Sequence, residues 1–496
     1  MHVDAPTSLC QVGLARGDVT PPVGIYHRMW GAATHDRSIG VHRPLTATAL
    51  ILRPAPEPNE WQEPHVSAGE LLVLVAIDHC LLWGPEMAAL TETVSRAAGV
   101  PRERLLVMFS HTHGAGLMGR ERADLPGGEL IGPYLDDLAD RLAALVRAAG
   151  DDLAPALVTY GYGRCALATH RDRWDAENDR WVCGYNPRGS ADDTVLVARF
   201  TNFAGGVRGV LVNYACHPTT LAWENRLISP DYVGAMREVV EGATSAPCFF
   251  VQGASGDLGP RRGFTGDVRV ADANGRQLGH AVLAALDNLP PPGTRYEYVG
   301  PVVSGAVLGV WKDMPLDGPA LRAKAGWHYR HWTVPLEYRP GLPTVGSLSA
   351  ERDRQLAAEA TARQAGDEAL ARQCRALVEV ATRQLVRFRE MSPGRPYAFP
   401  VHLWQIGDGV WVAVESEHYQ LLQTALRQRF ANRPLIVATL VNGSLHTYLP
   451  PREIYDTGIY QDTIALFAPG SLERLIDEIA QQIAEWDSIE AANDTE

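Results

Sequence analysis

Leu71 to Asp78 (LLVLVAID) is strand-sized and apolar at almost every position. A half-buried strand alternates polar and apolar side chains, so a near-continuous run of this length reads as a strand covered on both faces. Helical spacing over Pro85–Ala98 follows, and then a second apolar run, Leu105 to Phe109. Thr46–Leu52, Leu157–Tyr162, Thr194–Phe200, Val207–Tyr214 and Cys248–Val251 read as further strands, and 131–149, 231–242 and 268–288 as helices. Strands alternating with helices predict an α/β fold.

Later in the chain, Val401–Ile406 and Val410–Val414 flank Gly407-Asp408-Gly409, a hairpin signal. Helix 418–430, strand 435–441 and a last helix near 471–486 are expected after it, then an acidic, frayed tail. Residues 349–388, rich in Ala, Gln, Arg and Glu at helical period, read as a long helix or helical hairpin serving as a solvated scaffold. Residues 301–347 resist assignment, and 54–68 read as a surface loop. With no internal repeat, low-complexity tract or clear linker, one domain over 1–496 is expected.

A net charge of −13 argues against nucleic acid or an anionic membrane surface as the main partner, since both require a basic face. The seven cysteines are scattered and form no CxxC, which reads as reduced thiols in a cytoplasmic protein. The N-terminus shows neither a basic nor an apolar leader region, and no apolar run reaches membrane-spanning length, so no stable membrane insertion is expected.

Three strand-like segments end in residues able to do chemistry. Leu105–Phe109 runs into Ser110-His111-Thr112-His113-Gly114, and residues i and i+2 of a strand share a side, so His111 and His113 are expected to face one site. They would serve as one ligand plus one proton carrier, or as two ligands. Val207–Tyr214 leads into His217, and Cys248–Val251 into Gly253-Ala254-Ser255-Gly256-Asp257-Leu258-Gly259. Ligands in α/β sheets gather outside the carboxyl ends of strands. Two histidines from different strands and a glutamate from a third, Glu415 or Glu417, make a plausible metal shell, although no HExxH-type spacing enforces it.

Taken together and in order, HTHGAG, NYACHPT with SPDYVGAMR, QGASGDLGP and YLPPREIYDTGIY resemble the catalytic domain of neutral (non-lysosomal) ceramidases and their bacterial relatives, over roughly residues 12 to 465. The resemblance implies a mixed β-sheet core flanked by helices and a zinc-dependent amidase. It points to His111, His217, Glu417 and Tyr448 as the Zn2+ shell, with Glu415 the less favoured register. It also implies His113 as the proton-transfer residue, Arg171 as a substrate-orienting residue, and Tyr460 facing the reacting carbonyl.

Gly259 stands where the family carries a serine, and Ser255 does not replace it by register, which favours activated water over a serine nucleophile. The family's usual secretion signal and C-terminal immunoglobulin-like domain are not seen, so the expected partner is a small, more soluble N-acylated substrate rather than long-chain ceramide. An esterase or lactonase, an amide-forming or cyclising enzyme, and a metal-stabilised binding protein are the alternatives. Oligomeric state stays open.

Overall fold

The computed structural model describes residues 1–55, 71–392, 394–443, 445 and 447–493. Eight strands build the main sheet: β1 (Thr7–Asp18), β2 (Thr46–Pro54), β3 (Leu72–Ile77), β4 (Leu105–Phe109), β5 (Ala154–Arg164), β6 (Thr194–Thr201), β7 (Val207–Tyr214) and β8 (Cys248–Gln252). Their spatial order is β8-β7-β6-β5-β1-β2-β3-β4. Helices α1 (Gly84–Ala98), α2 (Ile131–Asp151), α3 (Tyr232–Thr244) and α4 (Val268–Asp287) cover one face.

The unbroken apolar runs now have their reason. Val73, Val75 and Ile77 of β3 pack toward α1 and α2, while Leu72 and Leu74 point the other way. In β4 the same split sends Val107 and Phe109 to the helices, with Leu106 and Met108 opposite. Neither face offers water to a polar side chain.

What the opposite face meets is a second sheet, β9 (Trp327–Leu336), β10 (Tyr397–Ile406), β11 (Gly409–Val414) and β12 (Leu435–Ala438), in that order. Trp404, Trp411 and Ile436 face the main sheet; Leu403, Val412 and Val437 face outward. The second sheet's outer cover comes from α5 (Val345–Gln364), α6 (Glu368–Arg389), α7 (Leu421–Arg429) and α8 (Ser471–Asn493). The result is an α/β fold of helix, sheet, sheet and helix layers.

Within these two sheets three strand pairs are parallel: β3/β4, β7/β8 and β11/β12. Each arises from a strand–helix–strand crossover, through α1, α3 and α7 respectively, since a parallel return needs a long connection. The chain after β12 then stitches two ends of the main sheet together. Thr439 N–H donates to Gln252 O of β8 at 3.0 Å, and Asn442 exchanges bonds of 2.8 and 2.9 Å with Val107 of β4. Each edge strand is thereby engaged at one point, and the carboxyl ends of all three parallel pairs reach one rim.

Several expectations shift. The stretch 301–347 is ordered, containing most of an antiparallel hairpin (Thr294–Ser304 with Ala306–Pro315) and β9. The stretch 349–388 is two helices, because Gly366 takes φ +72° between them and Asp367 caps α6 by accepting from Leu370 N–H at 3.0 Å. Helix 418–430 starts at Leu421. Most of the loop expected at 54–68, and the end of the acidic tail, lie outside the described residues. The seven cysteines form no disulfide. Among the described residues, no helix is long and apolar enough to cross a membrane.

Candidate active site

Strand periodicity does not orient His111 and His113. β4 ends at Phe109, and His111 sits in the left-handed region at φ +65°, a conformation that costs a non-glycine residue on the order of 1 kcal/mol or more. Its backbone is held there by the chain leaving β3: Ser110 N–H donates to Ile77 O and His111 N–H to His79 O, both at 2.9 Å. His113 then opens a 3-10 turn capped by the Thr112 hydroxyl. Both rings still reach one cavity, by a kink rather than by pleat.

That cavity, of about 430 Å3, lies at the rim where the parallel strands end. His111 enters after β4, His217 after β7 and Glu417 after β11. His111 Nε2 lies 3.0 Å from His217 Nε2, and Glu417 Oε2 lies 3.3 Å from the first and 3.5 Å from the second. His111 Nδ1 sits 2.7 Å from Cys80 O and His217 Nδ1 3.2 Å from Ser255 O. A carbonyl only accepts, so each Nδ1 carries the proton and each Nε2 turns a lone pair on its partner. With both rings neutral, three buried acceptors converge with no donor among them, and a cation resolves that arrangement, whether a proton on His111 Nε2 or a metal ion; the ligand set, two imidazoles and a carboxylate, suits zinc and other first-row divalent ions.

The electrostatics agree. Burial opposes a charge on His111, yet Cys80 and Glu417 hold its imidazole well above the ordinary range. Burial, Arg171 and the two other histidines push His217 well below it. Burial opposes ionisation of Glu417 too, but His111 and hydrogen bonds draw its carboxyl down to about 2. The cluster attracts positive charge to its centre.

Tyr448 stands beside Glu417 because Glu417–His418 and Tyr448–Leu449 form a short parallel ladder with these two residues in register. Its buried hydroxyl is hydrogen-bonded to Glu417 and accepts from Arg171 Nη2 at 3.1 Å. Arg171 is itself buried, with Nε and Nη2 also donating to Gly256 O at 3.1 and 2.6 Å. Gly256 N–H donates to His418 O at 2.7 Å, and a Cβ at position 256 would stand 2.8 Å from that oxygen, so only glycine permits the approach. Asp257 completes the clasp by accepting from Gln420 N–H and Nε2, each at 2.7 Å. At Gly259 a Cβ would find ordinary contacts no closer than 3.7 Å, so packing does not demand glycine there.

His113 differs from the other two histidines. Neither of its buried ring nitrogens has a hydrogen-bond partner among the described residues. Its ring lies 5.1 Å from His111 and 5.3 Å from His217, and burial together with the His111 charge pushes it well below the usual imidazole range. It is a neutral base with a free lone pair. Tyr460, 49 % exposed, stands at the cavity mouth with its ring 5.9 Å from Tyr448. Glu415 is buried on a different cavity and does not join the cluster.

Sequence reasoning missed two walls of this cavity. Trp30, Trp223 and Phe264 pack together at 5.7 to 6.3 Å, with Trp30 5.1 Å from His113. Beside them, α6 contributes Glu379, Arg383 and Arg387, with Arg383 Nη2 donating to Met29 O. The solvated-scaffold reading of this helix is therefore wrong for one face; the signal was the i, i+4, i+8 spacing of these three charges beside the apolar Val378, Ala381 and Leu385.

No family model matches the chain, and no curated protein matches it. Solved structures do. The neutral ceramidase from Pseudomonas aeruginosa superposes with a TM-score of 0.61 at 15 % identity, covering 97 % of this chain and 75 % of that one. A ceramidase complexed with C2 gives the same TM-score and identity, covering 97 % and 76 %. The chain therefore has the fold of these ceramidases, a large mixed sheet with helices.

Proposed function

We propose that this protein is a metal-dependent amidohydrolase, with zinc as its ion, that cleaves the N-acyl amide bond of a small acylated substrate. The observation that carries the reading is a set of three converging acceptors next to a neutral histidine that has no partner among the described residues. His111, His217 and Glu417 would hold the ion, and Tyr448 would complete the shell or orient Glu417 within it. A divalent ion bound there supplies Lewis acidity for the carbonyl and for the attacking water.

The chain's own residues carry the rest. His113 takes a proton from water as the water oxygen bonds to the carbonyl carbon. When the carbon–nitrogen bond breaks, the same proton goes to the departing amine, leaving a carboxylic acid and an amine. The Tyr460 hydroxyl donates to the carbonyl oxygen as negative charge develops there. Arg171 positions Tyr448 and the Gly256 turn, and bears on substrate through the cavity wall it lines. The free ring nitrogens of His113 favour catalysis over a metal-stabilised binding role, which has no use for an unpaired buried base. The unpaired cysteines fit a reducing, cytoplasmic compartment, and we read residues 1–496 as one catalytic domain.

Elemental analysis of the purified protein, alongside hydrolysis of N-octanoylethanolamine, tests this. About one zinc per chain and amide turnover lost on chelation are expected. A folded protein that takes up no metal on zinc addition would sink the reading.

A further inference from the structure

The antiparallel hairpin of Thr294–Ser304 and Ala306–Pro315 belongs to neither large sheet. Leu316 N–H closes its base by donating to Gly293 O at 2.8 Å, and its first strand also pairs with the short strand His2–Asp4. Among the described residues the outer strand, Ala306–Pro315, is paired on one side and leaves an open row of N–H and C=O groups on the other. Natural proteins blunt such an edge with charge or proline. Neither occurs from Ala306 to Trp311, and no residue from Tyr298 to Trp311 is charged.

The bare surface is apolar on both faces. Val303 and Val307 lie directly across from one another on the face that carries Trp311, and Val302 and Leu308 are paired on the other. Tyr296, Tyr298, Val302, Val303, Val307 and Leu308 are 39 % to 80 % exposed. Together they present apolar area approaching the roughly 800 Å2 that each partner contributes to a stable interface, whereas a monomer rarely leaves more than a few hundred Å2 in one patch.

The edge and the charges decide what covers it. Lipid would accept the tip but leave the open backbone row without hydrogen-bond partners. The hairpin also roots away from the cavity: a Cβ at Gly293 would stand 3.1 Å from Leu157 Cδ1, and Leu157 is level with Val207 at the start of β7, not with its carboxyl end at the rim. A second copy brings the same open edge, and antiparallel pairing about a two-fold axis satisfies both rows at once. Side chains on neighbouring strands touch on both faces, so such pairing uses the two-sided apolarity. Charge permits it too. Arg295 and Lys312 balance Glu297 and Asp313, with Glu297 directly across from Lys312, so in a chain of net charge −13 the hairpin is a neutral surface on which two copies meet without repulsion.

We propose that this hairpin is a dimerisation arm: the Ala306–Pro315 strands of two copies pair antiparallel and join two three-stranded sheets into one.

Sedimentation equilibrium of the full chain at about 1 and about 50 μM, with hydrogen exchange on the same samples, tests it. The wild type should be dimeric at the higher concentration, and the amides of Ala306–Trp311 should gain protection as the dimer forms. Val303→Asp/Val307→Asp puts like charges on two exposed tip positions and should weaken the dimer by roughly a hundredfold or more, with the far-ultraviolet circular dichroism unchanged. Val303→Ile/Val307→Ile should keep it. A wild type that stays monomeric at the higher concentration, or a dimer that persists in the folded aspartate variant, would overturn the proposal. So would a dimer whose Ala306–Trp311 amides remain unprotected. A monomer that co-sediments with phosphatidylcholine vesicles, and ceases to in the aspartate variant, would assign the arm to a lipid surface instead.

Discussion

Glu415 and Glu417 leave β11 two residues apart and open on different cavities, each furnished with histidines. The second cavity, of about 550 Å3, is the larger and holds His331, His402, Glu390 and Glu415. By residue type it is as good a metal site as the first. What differs is how the rings are held. His331 and His402 stack face to face at 4.2 Å and 7°, and His402 Nδ1 is taken by the Tyr329 hydroxyl at 3.0 Å. No three metal-ligating atoms converge there among the described residues. In the first cavity the Nδ1 atoms of His111 and His217 are tied to main-chain carbonyls, and both Nε2 atoms are thereby aimed at one point. Orientation by the backbone, not inventory, separates the two.

The sharpest way to break this comparison is to remove one histidine pair from each cavity. His111→Ala/His217→Ala should lose bound zinc and lower kcat/KM for amide hydrolysis on the order of a thousandfold or more. His331→Ala/His402→Ala should keep both the metal and the rate, with any loss confined to thermal stability. Zinc by elemental analysis and initial rates on matched preparations check it. Metal retained by the first double variant and lost by the second would invert the assignment.

His113 sharpens the contrast within the first cavity. Its ring nitrogens are buried like those of His111, but among the described residues no carbonyl fixes its ring. His113→Ala should keep about one zinc per chain while kcat falls by about 10²–10⁴. Zinc content and steady-state rates on the same sample separate the two roles: metal lost with His113 would make it a ligand, and a full rate would leave it without a catalytic part.

The fold was legible because its signals are local. Runs such as 71–77 and 105–109 are apolar at every position, and that pattern has few outcomes besides a two-face-buried strand. The packing of two sheets on each other was not visible, since alternation within an all-apolar strand does not say what each face meets. The residues brought together at the cavity were singled out largely through resemblance, because they lie hundreds of positions apart. The pleat argument for His111 failed on a backbone angle that no propensity encodes. The α6 wall was hidden for a different reason. Glu379 is buried but neutralised by arginines from its own helix and from Arg122, and a paired buried charge looks in sequence like a solvated one.

The smallest expected effect concerns what the second cavity does with its acids. Burial and the Glu86 carboxylate push Glu390 from 4.5 up to about 7. The folded protein therefore binds this proton more tightly than the unfolded chain does. Folding takes up a proton between those two values, and stability falls as pH rises from about 4.5 through 7, then levels off. Glu390→Gln removes that dependence, so it should raise stability above pH 7 and change little at pH 4. The side chain is half-buried, so the gain after solvent screening is on the order of 1 kcal/mol. Urea unfolding of wild type and variant at pH 8 and pH 4 reads the difference directly. A gain of equal size at both pH values would mean that packing, not charge repulsion, governs position 390. A gain at pH 8 alone, with zinc content unchanged, would mean that Glu390 and the neighbouring Glu86 repel one another without gathering a cation, whereas the lone pairs in the other cavity are arranged to hold one.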